Sequence, residues 1–152
     1  MRPISLSQIP EITLKYRPKV RASERLTLRD SKDVYALLRK KWDSNLIELQ
    51  EQFKIVLLNS SAQLIGIADL SSGGTTGTIA DPKIIFATAL KAGAFAIILA
   101  HNHPSGNLVA SDEDIRSTKK IKDGAQLLDL FVYDHIIVTK EGYLSLADEG
   151  MM

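Results

Sequence analysis

Cysteine is absent from all 152 residues. That excludes disulfides, iron–sulfur clusters and every thiolate metal site, and it fits a reducing compartment. A strong charge of one sign is missing too. The formal net charge is +1, so no overall field draws the chain to nucleic acid or anionic lipid. Long hydrophobic runs are also lacking. The longest, Ala94 to Ala100, is far too short to span a bilayer. The opening residues, MRPISLSQIPEITLKYRPKV, carry no continuous apolar stretch of the signal-peptide kind. The expected location is therefore the cytoplasm, with no membrane partner. What remains is an ordinary globular mixture, 45% hydrophobic and 24% charged, long enough to bury one real core without staples.

Residues 1–30 read as an N-terminal arm. Pro3, Pro10 and Pro18 punctuate it, with a short strand expected at Ile12-Thr-Leu14. Lys15, Arg17, Lys19, Arg21, Arg25 and Arg29 form a basic stretch. Glu24 and Asp30 interrupt it and no aromatic residues interleave, which favours a solvated face over a nucleic-acid contact. A helix is expected from Ser31, its cap, to Trp42, with Val34, Leu37, Leu38 and Lys41 on one face. Gln52–Leu58 reads as a strand, Asn59–Ala62 as a turn and Gln63–Ala68 as the hairpin partner. Ser71–Gly77 reads as a flexible loop.

Asp81-Pro82 opens the next helix, with aspartate as N-cap and proline at the first helical position. It carries Ile85, Phe86, Ala89 and Leu90 and ends near Gly93. Ala94–Ala100 is apolar on both alternating faces, as a strand buried on both sides should be, and His101–Gly106 breaks it. A further helix starts near Ser111, with Ile115, Thr118, Ile121, Ala125 and Leu128 in one stripe. Leu130–Val138 and Tyr143–Leu146 are strands joined by a turn at Glu141-Gly142. The order α, β-hairpin, α, β, α, β, β predicts an α/β fold: one sandwich with a mixed central sheet flanked by helices.

Two of the three histidines are His101 and His103. Side chains two apart on extended backbone point the same way, so a His-x-His pair at a strand end can offer two imidazoles to one ion. Pro104 stops the strand and Ser105-Gly106 lets the backbone fold back. Asp114 lies in the first turn of the following helix, where its carboxylate can face the strand end. Two imidazoles, one carboxylate and a position left for water make the pattern of a catalytic zinc site. Such an ion lowers the pKa of its water toward neutrality. Ser111-x-x-Asp114 is also a capping box in its own right, and both roles are compatible. Asp112 and Glu113 suit the helix dipole rather than a metal.

His-x-His-Pro, a short loop and Ser-x-x-Asp together resemble the JAMM motif of JAB/MPN+ metallohydrolases. The string His101-Asn-His-Pro-Ser-Gly106 is similar to the RadC branch, as are Glu51-Gln-Phe53 with Ile55–Leu58, Ala94–Ala100, and Asp134-His135-Ile136-Ile137. The resemblance covers roughly residues 31–150. It implies a cytidine-deaminase-like JAB/MPN sandwich in a short, stand-alone form, since only about thirty residues precede the domain where longer relatives carry a helix-hairpin-helix region.

The resemblance also implies one zinc ion with a bound water, held by His101, His103 and Asp114. It further implies a glutamate general base on that water, here Glu51, with Glu48 as the rival; from its position alone Glu51 reads as an exposed strand entrance. The Ser111 hydroxyl would stabilise the oxyanion, and the substrate would be a peptide or protein cleaved at a peptide or isopeptide bond. His135, the third histidine, is expected to pack at the core edge with local partners, outside the ligand set. The alternatives to it are a fourth ligand or an outer partner oriented by Asp134.

Two rival chemistries fall away. HNH nucleases spread their three named residues along the chain, whereas His-Asn-His is contiguous here. Zinc nucleobase deaminases need Pro-Cys-x-x-Cys, which a cysteine-free chain cannot supply. A non-catalytic interaction module associated with DNA repair is the alternative of another class. The near-zero net charge predicts weak DNA binding for it. Oligomeric state is not legible.

Overall fold

The computed structural model describes residues 7, 9, 10, 17–73 and 80–152. Among these residues, three α-helices and five strands form one α/β sandwich: α1 (Ser31–Lys41), β1 (Gln52–Leu58), β2 (Leu64–Ser72), α2 (Pro82–Lys91), β3 (Ala96–Asn102), α3 (Asp112–Gln126), β4 (Phe131–Val138) and β5 (Tyr143–Ser145). The sheet order is β2-β1-β3-β4-β5. Only β3 and β4 are parallel, joined by α3 as crossover; the other pairings are antiparallel. The sheet is therefore mixed, as the sequence predicts.

Alternation along the strands splits the core in two. Val56, Leu58, Ile98, Ala100, Ile136 and Val138 face Val34, Leu38 and Trp42 on the α1 side. Phe53, Ile55, Leu57, Ile97, Leu99 and Val132 face Ile85, Ala89, Ile121 and Ala125 of α2 and α3. The central strand β3 is buried from end to end, which explains its apolar run on both faces. No helix of the described residues is long and apolar enough to cross a membrane.

Several boundaries differ from the sequence reading, each for a local reason. The N-cap of α1 is Asp30, whose side chain accepts from the Asp33 backbone N–H. Ser31 is instead inside the first turn, and its hydroxyl bonds to Tyr143 and Asp148. The buried stripe of α1 passes through Val34, Leu38 and Trp42, while Lys41 is exposed. Leu90 and Leu128 are likewise exposed.

β2 continues past Ala68 to Ser72 because Ser71 and Ser72 pair with Phe53 and Gln52, so the first two residues of the expected loop are strand residues. Thr27 bridges to Gln63 at the sheet edge and Leu28 is buried in the core, so the end of the expected arm packs with the domain. Arg17, Lys19, Arg21 and Arg29 are exposed. The expected strand at residues 12–14, and residues 74–77 of the expected loop, lie outside the described residues.

Candidate metal centre

β3 runs two residues beyond Ala100, so His101 is a strand residue and not part of the break. It shares a face with Ile97 and Leu99, under α3, and is almost completely buried. His103 follows the strand end, where its backbone N–H still donates to Val138. The turn closes with Gly106, at φ +80°, donating to the His103 carbonyl. A positive φ of this size suits glycine because it has no Cβ.

Ser111 caps α3 with both halves of a capping box. Its hydroxyl accepts from the Asp114 N–H at 3.1 Å, and its own N–H donates to Asp114 Oδ2 at 2.7 Å. The box uses Oδ2 of Asp114 and leaves Oδ1 facing His101 Nε2 at 3.3 Å. Capping and ligation are therefore compatible in one residue.

His101 Nε2 and His103 Nε2 are 3.0 Å apart, and His103 Nε2 lies 3.8 Å from Asp114 Oδ2. A tetrahedral ion with bonds of about 2.0–2.1 Å has ligand–ligand edges of about 3.3 Å. The separations from His101 Nε2, 3.0 Å to His103 Nε2 and 3.3 Å to Asp114 Oδ1, lie close to that value, and the 3.8 Å from His103 Nε2 runs to the other carboxylate oxygen, Oδ2. The orientation of His103 agrees with the spacing. Its Nδ1 lies 2.7 Å from the Asn107 carbonyl, which can only accept, so Nδ1 is the donor, and in the neutral ring that leaves the lone pair on Nε2. Burial pushes His101 down to about 4; Asp114 opposes the shift and His103 adds to it. A neutral imidazole is the form that ligates. His101, His103 and Asp114 could thus hold a metal ion.

A cavity of about 190 Å³ opens beside this trio, lined among others by Glu51, Phe53, His101, Glu113, Asp114, Ser117 and His135. Glu51 immediately precedes β1 and has the same parity as Phe53, Ile55 and Leu57 on the α2–α3 face. Its carbonyl accepts from Gly73. Glu48 is exposed and pairs with Lys140 at 3.1 Å, away from that cavity's lining. Ser111 is exposed, and its hydroxyl donates to Asp114 Oδ2 at 2.7 Å.

His135 departs from the sequence reading. It is buried rather than at the core edge, and its Nε2 lies 2.8 Å from His101 Nδ1. It backs the candidate trio through His101. Asp134 does not orient its ring. The Asp134 carboxylate accepts from the His135 backbone N–H, the Ser145 hydroxyl and the Ala147 N–H. Burial raises the Asp134 pKa; these hydrogen bonds oppose the shift and nearby Asp148 reinforces it.

The cause is a register shift. Ile97 pairs with Val132 but Ile98 with Asp134, skipping Tyr133. An extra residue of this kind reverses the inside–outside phase of a strand. It turns Asp134 toward Ser145 and His135 toward His101.

Sequence reasoning passed over Asn102. It is fully buried on the opposite face of β3. Its amide donates to the Ile47 and Gln50 carbonyls, and its Oδ1 accepts from the Gln52 N–H. These bonds fix the backbone on both sides of Glu51. The signal was the alternation itself: between two histidines aimed at one face, the middle residue must serve the other.

The family model of the RadC-like JAB domain matches residues 28–151. The chain belongs to the RadC-like JAB domain family. Among its relatives, a UPF0758 protein of Flavobacterium johnsoniae is 46% identical over 101 residues, which is 66% of this chain and 44% of the relative. A UPF0758 protein of Porphyromonas gingivalis is 43% identical over 104 residues, 68% of this chain and 46% of the relative. One from Alkaliphilus metalliredigens is 43% identical over 103 residues, 68% and 44% respectively. The RadC-like chain thus spans less than half the length of the curated relatives it matches.

Proposed function

We propose that this RadC-like JAB domain is a zinc-dependent hydrolase of the metallopeptidase or isopeptidase type. The observation that carries the reading is that Glu51 lines the same cavity as His101 and Asp114. Two imidazole nitrogens and a carboxylate oxygen within 4.8 Å of one another suit zinc and would leave one position open. When bound, the ion supplies Lewis acidity, lowering the pKa of water and polarising a substrate carbonyl.

The chain's own residues do the rest. Glu51 takes a proton from water and returns it to the leaving amine, a general base and then a general acid. Asp114 is held by the cap at Oδ2 and keeps Oδ1 toward His101. The Ser111 hydroxyl, now donating to Asp114, stabilises the oxyanion by rotating toward the substrate. The substrate is a peptide or protein. The cysteine-free composition suits the reducing cytoplasm as the place of action.

The test is hydrolysis of a panel of peptide and isopeptide substrates by zinc-loaded protein. Glu51→Gln should keep its zinc affinity and lose about 100-fold or more in rate, while Glu48→Gln should match wild type. Equal rates for Glu51→Gln and wild type would remove the general base from the account. Zinc-loaded wild type with no activity on any substrate would favour the DNA-repair-associated module.

A further inference from the structure

Behind the metal ligands runs a hydrogen-bond chain that the proposed chemistry does not use. His101 Nδ1 lies 2.8 Å from His135 Nε2. His135 Nδ1 lies 2.5 Å from the Thr118 hydroxyl, and that hydroxyl lies 2.6 Å from the Asp114 backbone carbonyl. His101, His135 and Thr118 are all buried. We propose that Thr118 and His135 are positioning residues that lock His101 in the tautomer carrying its proton on Nδ1, so that Nε2 presents a lone pair to the metal.

The directions follow from the end of the chain. A carbonyl oxygen can only accept, so the Thr118 hydrogen points at Asp114. The Thr118 oxygen then accepts, and His135 Nδ1 must be the donor. A neutral His135 has no second proton, so its Nε2 accepts and His101 Nδ1 donates. His101 Nε2 is left bare, facing His103 Nε2 at 3.0 Å. In the neutral ring of His103, the Asn107 carbonyl leaves Nε2 bare as well. Two lone pairs aimed at each other beside a carboxylate repel unless a cation lies among them. The chain starts at one ligand and ends on the backbone of another, Asp114, so both are oriented through Thr118. A metal-ligating histidine whose other nitrogen is tied to an outer partner is a recurrent device, and removing such a partner costs about 10–100-fold in metal affinity.

This inference rests on the zinc site of the proposed function, and its test has two independent readouts. Histidine ring ¹⁵N spectra of the metal-free protein at neutral pH report each tautomer directly. Wild type should show Nδ1–H for both His101 and His135. A ring proton on Nε2 of either would overturn the proposal, whatever the metal affinity. Titration with zinc alone should then show Thr118→Val weakened about tenfold or more, with Thr118→Ser, which keeps the hydroxyl, close to wild type. Unfolding of the metal-free variants separates this from lost fold. Thr118→Val binding zinc as tightly as wild type would overturn the proposal. The expected wild-type tautomers without any zinc binding would sink the proposed function and leave the tautomer lock standing.

Discussion

Two buried neutral histidines should make the metal-free protein sensitive to acid in a calculable way. His101 is held down to about 4 from its ordinary 6.5, chiefly by burial. His135 is held well below the same value, again chiefly by burial. The unfolded chain takes up protons at these sites from about pH 6.5 downward, while the folded chain refuses them. Their contribution is therefore full above pH 6.5 and is lost as pH falls through the folded values.

For His101 the loss is complete near pH 4. The gap between about 4 and 6.5 corresponds to about 3 kcal/mol at roughly 1.4 kcal/mol per unit. Between pH 6 and 4.5 His101 alone approaches a slope of about 1.4 kcal/mol per pH unit, and His135 adds to it in the same sense. Asp134 acts with the opposite sign, because its raised pKa lets the folded state bind a proton first. It reduces the slope near its acidic end. Against a typical total of about 5–15 kcal/mol, the losses should bring acid unfolding into reach near pH 5.

The assay is urea unfolding in the presence of chelator at steps from pH 7.5 to 4.5, for wild type and His101→Asn. Wild-type stability should fall steeply below pH 6.5, and His101→Asn should show a clearly shallower fall. A flat wild-type profile down to pH 5, or identical slopes in the two proteins, would refute the reasoning.

Two further outcomes can be checked on the same material. Asn102→Ala strands two backbone carbonyls and one N–H that its side chain now satisfies; urea unfolding should show a loss of roughly 3 kcal/mol, and hydrogen exchange should rise around Gln50–Gln52. Ser111→Ala removes the α3 cap and should cost about 1 kcal/mol in the metal-free protein, with the Asp114 amide exchanging faster.

Local chemistry made much of this fold legible. Asp81-Pro82 and Ser111-x-x-Asp114 are written as caps and act as caps. The apolar run of β3 announces a central strand. Where neighbours compete, the reading slips by a residue. Asp30 and Ser31 are both good N-caps, and Asp30 takes the role because Ser31 has partners in Tyr143 and Asp148.

The candidate ligands His101, His103 and Asp114 stood out because their spacing is local. Their support did not, because it depends on distant pairing. Counting in twos along β4 from Val132 brings Asp134, not His135, to the α2–α3 face. Only the shift past Tyr133, set by pairing with β3, reverses that phase. Thr118 reads as one more residue of a helical stripe until α3 is laid over β4. Asn102 bonds to residues some fifty positions away, which no local pattern encodes.

The most direct test of the central claim is a crystal structure grown with zinc, with anomalous diffraction recorded on both sides of the zinc absorption edge. A single strong peak is expected at about 2.0–2.2 Å from His101 Nε2, His103 Nε2 and an Asp114 carboxylate oxygen, with Glu51 beside the remaining position. A crystal with no peak there, or with zinc bound only elsewhere, would contradict it.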